Sequence, residues 1–171
     1  RFVIGDPNPD IYGNIYLNFH FAQNWALSAN FNYSVGNDIY NYQRSLLESG
    51  SMFINQTTAL NRRWMAENQV TDIPKITYGD PMGNARFSDR WIEDGSYLKL
   101  KNITLSYKLP IQNEYIQGLT VWAAANNLLT FTKYLGSDPE VSCGNTVLMQ
   151  GIDAGYLTSG RSFHLGVKIN L

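Results

Sequence analysis

The chain has 171 residues, enough for one ordinary core, with a formal net charge of −1 and 16% charged residues, against a soluble norm of about 25%. Its 13 Lys and Arg form no cluster, which leaves no electrostatic footprint for nucleic acid. The lone Cys143 excludes an intrachain disulfide, a CxxC motif and a thiolate zinc site. No window approaches 18 consecutive apolar residues, so no transmembrane helix is expected; strands that cross a membrane in roughly 9 to 11 residues remain open. Eleven Tyr, eight Phe and four Trp alongside many Asn suit the girdles and polar lumen of a barrel, and equally a sugar-binding sandwich. Arg1 comes first with neither Met nor a basic-then-apolar leader, so any signal peptide is expected upstream of this stretch.

Residues 12–21 carry the first strand signal, with Ile15, Leu17, Phe19 and Phe21 alternating with Asn14, Tyr16, Asn18 and His20. After Ala22-Gln23-Asn24 the same period resumes over 25–35, which predicts a tight hairpin. From Gly36 to about Ser96 the alternation gives way to turn formers and two prolines, Pro74 and Pro81, with room for short helices between Gln43 and Trp64. A third strand is predicted over 97–109, where Lys99 and Lys101 fall on the apolar face by strict counting. Either a bulge resets the register near Asn102 or that end leaves the apolar layer. Pro110 stops this strand, and fourth and fifth strands follow over 119–131 and 161–171, separated by a second irregular segment from Lys133 to Gly160.

The connections thus alternate short, long, short, long. Outer-membrane barrels show this asymmetry, with short periplasmic turns and long extracellular loops. One apolar and one polar face per strand has two physical explanations: a half-buried soluble sheet, or a barrel wall between lipid and water. A soluble sheet would carry some ninety residues of loop and two uncovered edges. In lipid an open edge is forbidden, so five strands require the remainder of a barrel. The fold class expected is all-β, an antiparallel transmembrane β-barrel fragment. The alternative is a soluble or surface-attached carbohydrate-binding β-domain.

Several segments resemble the C-terminal end of the SusC/RagA family of TonB-dependent transporters. Ser88-Asp89-Arg90-Trp91-Ile92-Glu93-Asp94-Gly95-Ser96-Tyr97-Leu98-Lys99-Leu100-Lys101-Asn102-Ile103 is similar to that family's most specific block. It is flanked in the expected order by Ile4-Gly5-Asp6-Pro7-Asn8-Pro9-Asp10-Ile11-Tyr12-Gly13, Gly36-Asn37-Asp38-Ile39-Tyr40-Asn41, Leu105-Ser106-Tyr107-Lys108-Leu109-Pro110, Asn127-Leu128-Leu129-Thr130 and 132–141. At the chain end, His164, Gly166, Ile169 and Leu171 resemble the signal read by the barrel assembly machinery, with Leu171 where family members commonly have Phe. The resemblance implies the last five strands of a plugged barrel of the 22-stranded class. It also implies the outer membrane of a Gram-negative bacterium, import of glycans or peptides, a SusD-like lipoprotein lid, and TonB contacted through the missing N-terminal part. It implies no cofactor.

Of the carboxylates, Glu93-Asp94 and Asp138 with Glu140 invite a two-acid glycosidase reading, but their places at loop–strand junctions suit turn formation better, and no catalytic residue is assigned. His20 and His164 lack ligand spacing, and Asp6, Asn8 and Asp10 lack an EF-hand pattern, so no metal site is assigned. Trp25 and Tyr107 count to the apolar face as girdle residues, and Trp122 to the polar face. The candidate ligand or lid contacts are the loop aromatics Trp64, Tyr78, Tyr134 and Tyr156, because stacking on a sugar or a partner requires an exposed flat face.

Overall fold

In the computed structural model, residues 2–111, 116–140, 142–144 and 146–170 are described. In chain order the elements are β1 (Ile11–Phe21), β2 (Trp25–Val35), β3 (Asp38–Asn41), α1 (Tyr42–Leu47), β4 (Ile92–Asp94), β5 (Tyr97–Leu109), β6 (Gly118–Thr132), β7 (Ile152–Asp153) and β8 (Ser162–Asn170). They divide into two compact units.

The first unit is a five-stranded sheet in the order β1-β2-β5-β6-β8, every neighbouring pair antiparallel. Residues directly opposite each other share a face, so the register turns each strand's alternation into rows. One such row runs Phe19, Leu27, Leu105, Ala123 and Leu165; the next runs Leu17, Ala29, Ile103, Ala125 and Phe163. On the other face a row runs Tyr16, Asn30, Asn102, Asn126 and Ser162. On the apolar face of β8, Phe163, Leu165, Val167 and Ile169 are 72%, 85%, 61% and 55% exposed. At the short end, Ala22 and Gln23 both take positive φ, 48° and 61°, which gives the β1–β2 turn the twist that two adjacent strands need.

The register breaks along one line across the sheet. Between the same two rows β2 advances from Asn30 to Phe31, β5 from Asn102 back to Leu100, and β6 from Asn126 to Leu129. The strands therefore take one, two and three steps to cross that line. Lys101 is the extra residue on β5, and Asn127 on β6 sits at φ 51°, a left-handed position that Asn tolerates. Beyond the line Leu98 lies opposite Tyr33 and Leu100 opposite Phe31 on the apolar face, while Lys99 lies opposite Asn32 on the polar face. The bulge thus resolves the misplaced lysines in favour of a register reset.

Two glycines accept an aromatic ring from the neighbouring strand. A Cβ on Gly166 would lie 2.4 Å from the indole of Trp122, its direct partner on the polar face, and one on Gly13 would lie 2.8 Å from the hydroxyl of Tyr33. Each ring covers backbone that a side chain would otherwise shield.

The second unit comprises Arg1–Asn8, Asn37–Asp94 and Tyr134–Leu157. Its centre is a small sheet in the order β4-β3-β7, with β4 antiparallel and β7 parallel to β3. Ile39 and Trp91 are 1% and 0% exposed there, and Leu60 and Ile73 are buried as well. Asn41 caps α1 by accepting the Arg44 backbone N–H at 2.9 Å, and single 3-10 turns form at Thr58–Arg62, Asp89–Trp91 and Val147–Met149. The sequence leaves room for short helices in this region, but its alternation gives no sign of the sheet. Strands of two to four residues are too short to carry a period of two.

Two outcomes are expected in the full-length parent. Val167→Arg lowers the stability of the assembled barrel by roughly 2–4 kcal/mol near the bilayer midplane, whereas Asn170→Arg on the polar face is tolerated; urea midpoints and heat-modifiable mobility of both variants check this. Gly166→Ala forces the indole of Trp122 aside at a cost of about 1–3 kcal/mol, and Gly166→Ala/Trp122→Ala costs less than the sum of the single changes. If Gly166 acted solely as a recognition signal, the two changes would add.

Candidate functional site

A charged cluster in the loop unit centres on Glu93. Its Oε1 accepts from Arg44 Nη1 at 2.6 Å and Asn41 Nδ2 at 3.3 Å, and its Oε2 accepts the Leu135 backbone N–H at 2.9 Å. Arg44 Nε also donates to Glu48 Oε2 at 3.0 Å, and the Thr57 hydroxyl donates to Glu48 Oε1 at 3.2 Å. Four separate stretches of chain therefore meet on two carboxylates. Burial works against the charge on Arg44, yet its hydrogen bond to Glu93 and the field of Glu48 outweigh it and raise its pKa. Trp91 packs beneath two guanidinium groups, with Arg90 at 4.4 Å and Arg44 at 5.7 Å from its ring centre, and its Nε1–H donates to the Arg86 carbonyl at 3.1 Å. Arg90 is lowered by desolvation, and its buried Nη2 has no hydrogen-bond partner among the described residues.

The four loop aromatics meet different fates. Tyr134 is 6% exposed, and its hydroxyl donates to Asp153 Oδ2 at 2.6 Å, while Asp153 Oδ1 accepts the Gly155 N–H. Burial first, and then the neighbouring carboxylate, raise this phenol above its ordinary range. Tyr134 is thus a core residue of the loop unit and not an exposed platform. The sequence could not reveal this, because its acidic partner lies in the second long loop. Trp64 is half-buried, its backbone N–H donating to the Ile73 carbonyl. Tyr78 is 68% exposed and stacks on Phe53, itself 91% exposed, at 4.8 Å between ring centres. Tyr156 is 55% exposed beside Cys143, with Oη and Sγ 3.9 Å apart. Phe53 was missed by the sequence reading because nothing in its surroundings marks it as a partner for Tyr78.

The other candidates are accounted for locally. Asp138 is buried, and its Oδ1 accepts the Glu140 N–H at 3.0 Å in a turn. Asp6 Oδ1 accepts the backbone N–H and the side-chain amide of Asn8 at 2.9 and 2.8 Å. Asp10 lies against Gly36, where φ is 88° and an added Cβ would collide with its carboxylate. His164 and Gly166 occupy the polar face of β8 and Ile169 the apolar face, while Leu171 lies outside the described residues.

The polar face of the large sheet forms a hydrogen-bonded lattice of amides and hydroxyls. Asn14 Nδ2 donates to Asn30 and to Asn32 (2.6 Å), Asn102 Nδ2 to Asn126 (2.7 Å), Thr104 to Asn102 (3.1 Å) and Asn126 Nδ2 to Ser162 (3.1 Å), whose hydroxyl lies 3.1 Å from His164 Nε2.

Antiparallel strands with a bare apolar face, an amide-rich opposite face, short turns at one end and long folded loops at the other define the wall of a transmembrane β-barrel. No family model matches the chain. It is 33% identical over 177 residues to TonB-dependent receptor P3 of Formosa agariphila, covering 99% of this chain and 17% of that protein, and 29% identical to TonB-dependent receptor P26 of the same organism, covering 98% and 17%. Among solved structures it superposes on the RagAB peptide importer in the closed-closed state with a TM-score of 0.81 and 29% identity, covering 98% of this chain and 18% of that one. The open-open state gives 0.79, with 29% identity and 96% and 17% coverage. The chain is SusC/RagA-like TonB-dependent receptor sequence, and it spans about a sixth of the length of the curated relatives it matches.

Removing Arg44 leaves the buried Glu93 carboxylate without its cation, at a cost of about 3 kcal/mol, and removing Glu93 leaves Arg44 held by Glu48 alone and frees Asn41 and the Leu135 N–H. Limited proteolysis of the full-length parent carrying Glu93→Ala is expected to cleave the 37–94 loop faster while the barrel wall stays intact. Arg44→Ala/Glu93→Ala is expected to be less sensitive than the two single changes combined.

Proposed function

We propose that this chain supplies the C-terminal part of the barrel wall, with its extracellular loops, of an outer-membrane importer that takes up peptides with a SusD-like lipoprotein as its lid. Energy reaches the barrel through TonB, contacted by the part of the protein that precedes these residues. The observation that carries the reading is the two-faced sheet, whose apolar side matches lipid and whose other side lines a lumen with neutral hydrogen-bonding groups. Peptides are preferred over glycans because the superposed transporter of known cargo, RagAB, is a peptide importer, and the likeness extends over nearly the whole chain. A soluble carbohydrate-binding domain would leave the row from Phe163 to Ile169 in water, a patch that soluble monomers avoid.

In cells expressing the full-length parent with its proposed lipoprotein lid, labelled peptides should accumulate, and accumulation should stop on adding a protonophore or omitting the lipoprotein. Energy-dependent uptake of oligosaccharides with no uptake of peptides would sink the peptide reading and leave the barrel standing.

A further inference from the structure

At the end of the large sheet where the long loops begin, the polar face holds a cleft of about 470 Å3 that the wall lattice does not fill. The register explains it. The row at this end runs Tyr12, Ser34 and Tyr97, so a small residue on β2 lies between a tyrosine on β1 and another on β5. The row beneath begins Asn14, Asn32, and these five side chains line the cleft. Since β1 and β5 are two strand spacings apart, roughly 9.5 Å, the slot between the tyrosines is about one extended chain wide.

Its chemistry is neutral and paired. Asn14 Nδ2 donates to Asn32 Oδ1 at 2.6 Å and also to Asn30, which leaves Asn14 Oδ1 as an acceptor and Asn32 Nδ2 as a donor with no partner among the described residues. One C=O and one N–H on register partners are the complement of a peptide unit, which can pair with them as it would with a neighbouring strand. No carboxylate lines the cleft, and Lys99, opposite Asn32, is 2% exposed and already engaged. The ring of Tyr12 is 75% exposed and presents a flat face to whatever side chain passes.

We infer that the Tyr12–Ser34–Tyr97 cleft over Asn14 and Asn32 is a substrate subsite at the outer mouth of the lumen, which holds an extended peptide by its main-chain amides and so accepts many sequences. The inference rests on the peptide-import reading and adds the residues that would perform it.

The test uses the detergent-purified full-length transporter with its lipoprotein, and a tryptic digest of casein as probe, with bound peptides quantified by mass spectrometry. Asn32→Ala and Tyr12→Ser are each expected to weaken peptide capture about tenfold, the first by a lost hydrogen bond and the second by a lost ring contact. Asn18→Ala, on the same face far from the cleft, should change nothing. Heat-modifiable mobility confirms that each variant is folded. If the parent captures peptides and the cleft variants capture them equally, or if Asn18→Ala is as damaging, the subsite is wrong and the peptide reading survives. If the unaltered parent captures no peptide but binds oligosaccharides, the peptide reading fails and the assigned ligand fails with it.

Discussion

In hydrocarbon no water is present to satisfy a backbone N–H or C=O, so each must find its partner within the protein. Everything in the five-stranded sheet follows from that constraint. Five strands bond laterally in strict antiparallel register, and the period of two that such bonding imposes sends alternate side chains to opposite sides. Lipid then selects Phe, Leu, Val and Ile on one side, and the water-facing side fills with Asn, Ser and Thr. Neutral amides suit this position because each offers donors and acceptors together, so a lattice such as Thr104–Asn102–Asn126–Ser162 can be closed without placing net charge against the low-dielectric layer.

The bulge line shows the same constraint at its limit. Lysines at 99 and 101 cannot both stay on a lipid face, and moving them requires an extra residue in β5. An extra residue in one strand of a bonded sheet propagates, because each neighbour must supply enough chain to restore pairing beyond the defect. The progression of one, two and three steps across β2, β5 and β6 is that propagation, with Asn127 absorbing the awkward φ. It also re-aims the strand ends above the line, so Tyr12, Ser34 and Tyr97 lie in a row beyond it.

Much of this was legible in the residues because period-two patterning is a local property. The alternation of Ile15 through Phe21 or Phe163 through Ile169 needs no knowledge of neighbours, and the contradiction at Lys99 and Lys101 marked the place of an irregularity, leaving a register reset and a strand end outside the apolar layer as alternatives that only the pairing with β2 decides. What was not legible depends on partners distant in sequence. Tyr134 looks like a loop aromatic until Asp153 is seen to receive its hydroxyl, and Glu93 looks like half of an acidic pair until Arg44, Asn41 and the Leu135 N–H are placed around it. The small sheet escaped notice for a related reason: β3, β4 and β7 owe their existence to Ile39 and Trp91 packing in a shared core, not to any preference their few residues express.

That small sheet also explains why a loop unit should contain a charge cluster at all. A half-buried ion pair adds little net stability over well-packed apolar residues of equal size, since desolvation offsets most of the Coulomb attraction. Apolar packing, however, is indifferent to direction, and strands of two to four residues have too few ladder bonds to fix their own register. A guanidinium fork and a carboxylate accept partners only along certain lines. With Arg44 bound to both Glu48 and Glu93, and Glu93 also holding Asn41 and the Leu135 N–H, the start of α1, strand β4 and the beginning of the second long loop can meet in one arrangement and not in its neighbours. Strands this short gain more from that uniqueness than from added stability, and the cluster sits where apolar packing alone would leave the choice open.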